Sequence, residues 1–463
     1  MAVNLQFDSK LIEKYGVSGP RYTSYPTALS FHEGFDDVTF TRHAEQSNKD
    51  ISPRLLSLYV HIPFCHSLCY FCGCNKKITQ HEHHGIDYQG FLDQEIEIKG
   101  SLFDPQREVI QLHFGGGTPT FFSDAQLSGV MQKLGQHFNL SSSPQREFSI
   151  EIDPRTVDPG RMTHLADIGF NRLSMGVQDF DPAVQVAVNR VQDKQATLDL
   201  IGLAREAGFE SVSVDLIYGL PLQSPESFMP TIEAVLLARP DRIALYNYAH
   251  LPELFRAQRL ISPDDMPGAA TRLSLMQQSI ERLSSAGYVY IGMDHFALPD
   301  DELAIARETG ELQRNFQGYS TRPDCDLVGL GVSAISKVGS SYAQNFKDIR
   351  DWQAKVDTGS LSIWRGISLS REDLLRRRVI EDIMCRNRVC YADIEHDFYI
   401  DFITYFATEM EMLARLSEDD LVVIKPGEFV ATSKGLLLLR VIAMVFDEHL
   451  STTSRPGGFS KVI

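Results

Sequence analysis

The stretch "LSLYVHIPFCHSLCYFCGCN" (Leu56–Asn75) begins as a β-rich apolar run and ends in four cysteines, Cys65, Cys69, Cys72 and Cys74. Its first half reads as a buried strand of a parallel sheet, and its second half as the loop leaving that strand's carboxyl end. Five further runs share that design: "EVIQLHF" (Glu108–Phe114), "EFSIEID" (Glu147–Asp153), "NRLSMGVQ" (Asn171–Gln178), "SVSVDLIYG" (Ser211–Gly219) and "DRIALYNYA" (Asp241–Ala249). Helical segments such as "DYQGFLDQEIEIKG" and "KQATLDLIGLAREAG" lie between them. Strand–helix alternation gives parallel strands joined by right-handed crossovers. Six units fall short of a closed eight-stranded barrel, so the expected fold is α/β: an open, six-stranded (βα)6 partial TIM-like barrel. A doubly wound sheet is the competing architecture.

Residues with chemical potential gather where these strands end. After the cysteines come "GGGTPT" (Gly115–Thr120), then Glu151, Asp153 and Arg155, then Gln178 and Asp179, then Asp215 and Tyr218, then "YNYAH" (Tyr246–His250). Parallel α/β barrels build their sites on that rim. Taken singly, a glycine triplet is a tight turn and a strand-end carboxylate is a helix cap. Their convergence on one rim favours a site.

Four cysteines spaced C-x3-C-x2-C-x-C suit three chemistries. Disulfides fit poorly in a chain with an odd seven cysteines and no secretory leader. A single zinc is cramped by the one-residue gap between Cys72 and Cys74, and no second knuckle follows. A [4Fe–4S] cluster takes three thiolates from one C-x3-C-x2-C loop and leaves one iron open, whereas an electron carrier closes all four corners. The choice between these last two turns on Cys74. The chain has no G-x4-G-K-[ST] phosphate loop, and "GLGVSA" (Gly329–Ala334) is a weak dinucleotide fingerprint. "HEHH" (His81–His84) reads as a solvated loop.

Composition narrows the class. The 463 residues carry a formal net charge of −17, which works against a nucleic-acid partner. No apolar run is long enough to span a membrane, and the N-terminus lacks both signal-peptide and transit-peptide character. The expected location is cytoplasmic and the expected state monomeric. Expected domains are an N-terminal extension over residues 1–50 covering the site, a catalytic domain over 51–365, and a mainly helical C-terminal domain over 366–463. In the last, "VVIKPGEFVAT" gives a hairpin signal with a winged-helix look.

At C-x3-C-x2-C the sequence resembles the radical S-adenosylmethionine (SAM) enzymes. "GPRYTSYPTA" (Gly19–Ala28), "HIPFCHSLCYFCGCNK", "GGGTPT", "SIEIDPR", "NRLSMGVQDF", "DLIYGLP", "YNYAHLP", "GMDHFA" and "RNFQGY" narrow the resemblance to the oxygen-independent coproporphyrinogen III oxidases. It runs from about residue 10 to the final "FSKVI". A heme chaperone of the same superfamily shares C-x3-C-x2-C but lacks the Cys74 equivalent and the "RYTSYPTA" leader. The resemblance implies a [4Fe–4S] cluster held by Cys65, Cys69 and Cys72, with Cys74 outside the ligand set. It implies two SAM molecules. Tyr59, Gly116 and Glu151 would hold the first; Phe71, Gly117, Thr118, Gln178, Arg190, Asp215, Ala249 and Ile335 would surround the second. Tyr59, Cys74 and Arg21 are the catalytic candidates.

The implied reaction turns two propionates of coproporphyrinogen III into vinyl groups, with a reductant for the cluster and a terminal electron acceptor as partners. A propionate β-hydrogen is unactivated, so hydrogen-atom removal rather than a side-chain base is the fitting chemistry. Arg21, Lys76, Arg314 and Arg322 are the candidate cations for the substrate's carboxylates, and Tyr22, Tyr25 and Phe71 the candidate aromatic lining. A heme-binding chaperone and a plain electron carrier are the competing functional classes.

Overall fold

The computed structural model describes residues 5–322, 325–450 and 459, so the end of the "FSKVI" resemblance lies outside the described residues. The chain divides into two compact units, neither continuous in sequence. One comprises residues 31–275 and 324–368; the other comprises 1–30, 276–323 and 369–463.

The first unit holds the strands expected from sequence: β1 (Leu56–Ile62), β2 (Glu108–Gly116), β3 (Glu147–Ile152), β4 (Arg172–Gln178), β5 (Ser211–Tyr218) and β6 (Arg242–Asn247). They hydrogen-bond in sequence order and in parallel, β1 to β2 and so on to β6. Crossover helices run over His83–Gly100, Asp124–His137, Pro159–Asp167, Lys194–Glu206 and Pro225–Ala238. Several start where the sequence caps them: Ser123 and Gln126 form a reciprocal capping box, and Asp158 and Asp193 accept from the first-turn amides.

Alternation along the strands separates core from site. Leu58, Val60, Leu112, Phe114, Ile150, Ile152, Leu173, Met175, Val212 and Val214 are buried. The intervening Tyr59, His113, Glu151, Gly176 and Asp215 are only part-buried. With side chains pointing to opposite faces in turn, one face packs as core while the other carries a polar row.

The sequence reading did not anticipate what lies on the other side of β1. There β7 (Asp326–Leu330) adds a seventh parallel strand, followed by antiparallel β8 (Ile335–Val338), β9 (Ser341–Asn345) and β10 (Ile363–Ser368). "GLGVSA" is the end of β7 and its turn. Gly331, at φ +90°, sits so close to the Tyr88 hydroxyl and the His61 carbonyl that a Cβ would come within 2.6 Å of both.

In the second unit, the helix Arg371–Glu381 opens with a Ser370/Asp373 capping box and is followed by Tyr391–Phe398 and Ala407–Glu418. The hairpin signal is met by Val422–Lys425 and Glu428–Ala431, turning at Gly427, with Arg388–Cys390 as a third strand. Phe402, Phe406, Phe429 and Phe446 are fully buried among these elements.

Candidate active site

The cysteine loop is a backbone pinned at nearly every turn. Phe64–Cys65 pairs with Lys77–Ile78, so the loop closes on itself as a small parallel ladder. The Thr79 amide donates to the Cys65 carbonyl at 3.0 Å, and the Cys72 amide to the Cys69 carbonyl at 3.2 Å. From the segment after β4, Asn189 Nδ2 donates to the Leu68 carbonyl at 2.7 Å and the Val188 carbonyl accepts from the Tyr70 amide at 3.0 Å. Lys76 Nζ holds the Cys72 carbonyl at 2.9 Å. Gln258, buried after β6, donates from one amide to the carbonyls of Phe71 (3.0 Å) and Ala249 (3.2 Å).

The glycines after β2 let this loop approach. The amides of Gly117 and Thr118 donate to the carbonyls of Ile62 and Phe64 at 2.8 and 2.9 Å. A Cβ at Gly117 would lie 2.8 Å from the Phe64 carbonyl oxygen and from the Pro63 backbone. Gly117 is therefore occupied by the protein's own packing.

Two of the three cluster-spaced sulfurs meet a hydrogen-bond donor. The Thr118 hydroxyl donates to Cys65 Sγ and Arg190 Nη1 to Cys69 Sγ, both at 3.5 Å. Cys74 and Cys72 act on one another, which draws the Cys72 thiol below its usual range and pushes Cys74 above it. N–H···S and O–H···S bonds of this kind stabilise charged thiolates and tune a bound cluster. Three thiols on one pinned loop, two of them with donors in place, fit a [4Fe–4S] cluster.

Around the loop, the part-buried row supplies a polar wall. Tyr59 donates to His61 Nδ1 at 3.1 Å, and His61 Nε2–H donates to the Asn75 carbonyl at 3.0 Å. His61 is a buried strand-end histidine whose pKa burial lowers, so it is neutral in this tautomer. Glu151 accepts from His113 Nε2 at 3.1 Å and from the Gly116 amide at 3.4 Å. Burial opposes its charge, but those donors hold its carboxyl below the ordinary range. Its side chain nevertheless keeps 44% of its surface accessible, as a group lining an internal chamber does. Cys74 has the same character, exposed in area yet desolvated.

Beyond Glu151, burial and the Glu151 charge push Asp215 up to about 7 against the pull of Arg190. Arg190 also pairs with Asp153 at 3.3 Å and donates to the Gly176 carbonyl at 2.6 Å. Two buried polar atoms here, Gln178 Oε1 and Arg190 Nε, have no protein partner. Such atoms suit a polar ligand.

The structure thus gathers Tyr59, Phe71, Cys65, Cys69, Cys72, Cys74, Gly116, Gly117, Thr118, Glu151, Gln178, Arg190, Asp215 and Ala249 on the strand ends of one unit. Ile335 packs its backbone on Gly329, the β7 residue paired with Tyr59. Lys76 belongs to the loop itself. Arg21, Arg314, Arg322, Tyr22 and Tyr25 lie in the other unit. There Arg21 pairs with Asp294, Arg314 stacks over Tyr319, Tyr22 donates to Asp447 and Tyr25 accepts from the Glu448 amide.

Sequence reasoning passed over His113 and Gln258. His113 left a trace, a polar residue at the alternating position of "EVIQLHF". Gln258, on the short 3-10 helix Arg256–Leu260, left none.

Comparison with known proteins agrees with this geometry. The Radical SAM superfamily profile matches residues 59–235, and the HemN C-terminal domain profile matches residues 369–438. The chain is 48% identical over 463 residues to the oxygen-independent coproporphyrinogen III oxidase of Pseudomonas aeruginosa, covering 100% of both chains. It is 49% identical over 459 residues to the enzyme of that name from Escherichia coli K12, covering 99% of each. A solved structure described as coproporphyrinogen III oxidase (HemN) from Escherichia coli, a radical SAM enzyme, superposes with a TM-score of 0.91 at 47% identity. That match covers 96% of this chain and 100% of the other. Among the described residues no helix is long and apolar enough to cross a membrane. The chain belongs to the oxygen-independent coproporphyrinogen III oxidase family of the radical SAM superfamily.

Proposed function

We propose that this protein converts two propionate side chains of coproporphyrinogen III to vinyl groups, yielding protoporphyrinogen IX without oxygen. The observation that carries the proposal is the pinned trio Cys65, Cys69 and Cys72, with donors already facing the Cys65 and Cys69 sulfurs, beside the wall formed by Tyr59 and Glu151. When bound, a [4Fe–4S] cluster and SAM supply a primary carbon radical able to take hydrogen from an unactivated carbon.

The chain's own residues then bind, orient and shield. Tyr59, Gly116 and Glu151 would hold one SAM molecule, the Glu151 carboxylate, kept ionised by His113, offering a negative charge to a cationic group. Phe71, Gly117, Thr118, Gln178, Arg190, Asp215, Ala249 and Ile335 frame a second, with Gln178 Oε1 and Arg190 Nε as unspent polar groups. Cys74 stays outside the ligand set as a thiol. Lys76, on the cysteine loop itself, serves the substrate's carboxylates. Each side chain converted gives up one hydrogen atom, one electron and one carbon dioxide, so a one-electron acceptor completes each turnover.

An anaerobic assay with coproporphyrinogen III, SAM and a one-electron reductant tests this. Protoporphyrinogen formation that disappears in Cys65→Ser, Cys69→Ser and Cys72→Ser together with bound iron supports it. Cys74→Ser should keep its iron. Tight heme binding without turnover would instead make the protein a heme carrier, and a cluster indifferent to SAM would make it an electron carrier.

A further inference from the structure

We infer that His113 is the positioning residue of the chamber: it fixes which oxygen of Glu151 faces SAM and holds the Tyr59 ring in place. The inference rests on the reading of Glu151 as a ligand of the first SAM molecule.

Register brings the group together. Tyr59 on β1 is paired with His113 on β2, and His113 with Ser149 on β3, two residues before Glu151 on the same face. Cross-strand neighbours on one face touch, so this row is dictated by the pairing. The His113 ring lies nearly parallel to Tyr59, at 13° with centroids 5.8 Å apart. This offset arrangement is a favourable one for aromatic rings.

Hydrogen bonds then orient the imidazole. Nδ1 meets the Ser149 hydroxyl at 2.6 Å, and that hydroxyl is itself 3.3 Å from the Leu112 carbonyl. An ionised carboxylate only accepts, so Nε2 carries the proton directed at Glu151 Oε1. With Oε1 committed to His113, Oε2 is left facing the Gly116 amide and the chamber.

The sequence reserves space for this pair. A Cβ on Gly115 would sit 3.0 Å from His113 Nε2 and 3.0 Å from Glu151 Oε1 and Cδ. The first glycine of "GGGTPT" thus lies under the histidine–carboxylate bond and keeps it unobstructed.

The test uses the anaerobically prepared, cluster-loaded protein and reads SAM affinity by equilibrium dialysis, alongside iron content. His113→Phe keeps an aromatic face for Tyr59 and removes the donor. Its expected result is an unchanged iron content and a SAM Kd raised about tenfold or more, the usual effect of losing an outer-shell partner. Glu151→Gln should weaken SAM binding as well, and the double variant should lose no more than Glu151→Gln alone.

Gly115→Ala, which crowds the pair from below, provides the same reading should His113→Phe fail to take up iron. A His113→Phe Kd within twofold of the parent, with Glu151→Gln weakened, overturns the role of His113 and leaves the reading of Glu151 standing. Losses that multiply in the double variant overturn it too, because His113 would then act independently of Glu151. Unchanged affinity in Glu151→Gln overturns both.

Discussion

Gln258 donates to the Phe71 carbonyl at 3.0 Å, across 187 residues of chain, and so ties the loop after β6 to the middle of the cysteine loop. The same amide nitrogen reaches the Ala249 carbonyl, while its oxygen accepts from the Leu251 amide at 2.5 Å. Replacement by Leu preserves bulk and strands three backbone groups. Each buried polar group left unsatisfied costs about 1–3 kcal/mol. Gln258→Leu should therefore release bound iron to a chelator several-fold faster than the parent under anaerobic conditions. Gln258→Glu, which sets a carboxylate oxygen against the Phe71 and Ala249 carbonyls, should release iron at least as fast as Gln258→Leu. Equal release rates in all three would remove Gln258 from the support of the loop.

Two glycine-to-alanine changes should have opposite effects. At Gly117 the new methyl meets the Pro63 and Phe64 backbone at 2.8–2.9 Å, which cannot yield without moving the end of β1. Gly117→Ala should fold with reduced stability and fail to take up iron. At Gly90, inside the helix His83–Gly100, nothing lies within 4 Å of the added Cβ. Gly90→Ala should raise stability by about 0.5–1 kcal/mol through helix propensity. Iron content and the denaturation midpoint check both. A Gly117→Ala protein with full iron would show that the loop tolerates displacement.

These contrasts show which features the sequence exposes. The strands β1–β6 were legible because each is a short β-rich run followed by unusual loop residues, and local pattern decides such elements. The strand β7 was not: "DLVGLGVSA" is short and glycine-broken, and its pairing with β1 spans some 270 residues, so only tertiary register reveals it. Cysteine spacing announced the ligand loop, but its fastening by Asn189, Gln258 and Thr79 depends on loops brought together by the fold. Likewise "GGGTPT" read singly as a tight turn, whereas the fold sets the Cβ side of Gly117 against the Pro63 and Phe64 backbone.

Asp215 makes the site's polarity measurable as a pH effect. Its carboxyl titrates at about 7 in the folded protein, raised by burial and by Glu151. In the unfolded chain it titrates near 3.9, at about the ordinary value. Between those values the folded state holds the extra proton, so this group's contribution to stability falls as pH rises from about 4 to 7 and is flat above. Asp215→Asn removes the fall. With allowance for solvent in the chamber, it should stabilise the SAM-free protein at neutral pH by an amount on the order of 2 kcal/mol. SAM affinity should drop at the same time, since the carboxylate is placed for ligand rather than for stability. Melting temperature against pH, variant minus parent, checks the sign. A difference that does not grow from pH 5 to 7.5 would contradict it.

Glu95 and Lys99 look from sequence like a surface i,i+4 pair on the first crossover helix, yet both side chains are 1% exposed and 3.1 Å apart. Glu95 collects Ser362 Oγ (2.6 Å) and Asn345 Nδ2 (2.8 Å) on one oxygen, and the Gly331 amide (2.6 Å) and Trp352 Nε1 (3.2 Å) on the other. Lys99 donates to the Gly329 carbonyl (2.6 Å) and to Asn345 Oδ1 (2.9 Å). The pair thereby fixes the turn after β7, against which Tyr88 braces the His61 carbonyl. Removing one partner leaves a buried charge without its counter-ion, so Glu95→Ala should cost about 3–5 kcal/mol. Lys99→Met should also destabilise, though less, because four donors still hold the carboxylate. The double variant leaves neither charge stranded and should be more stable than the sum of the single losses by over ~1 kcal/mol. Urea midpoints for the four proteins measure that coupling. Strict additivity would mean that the two charges are held by their separate hydrogen bonds and not by each other.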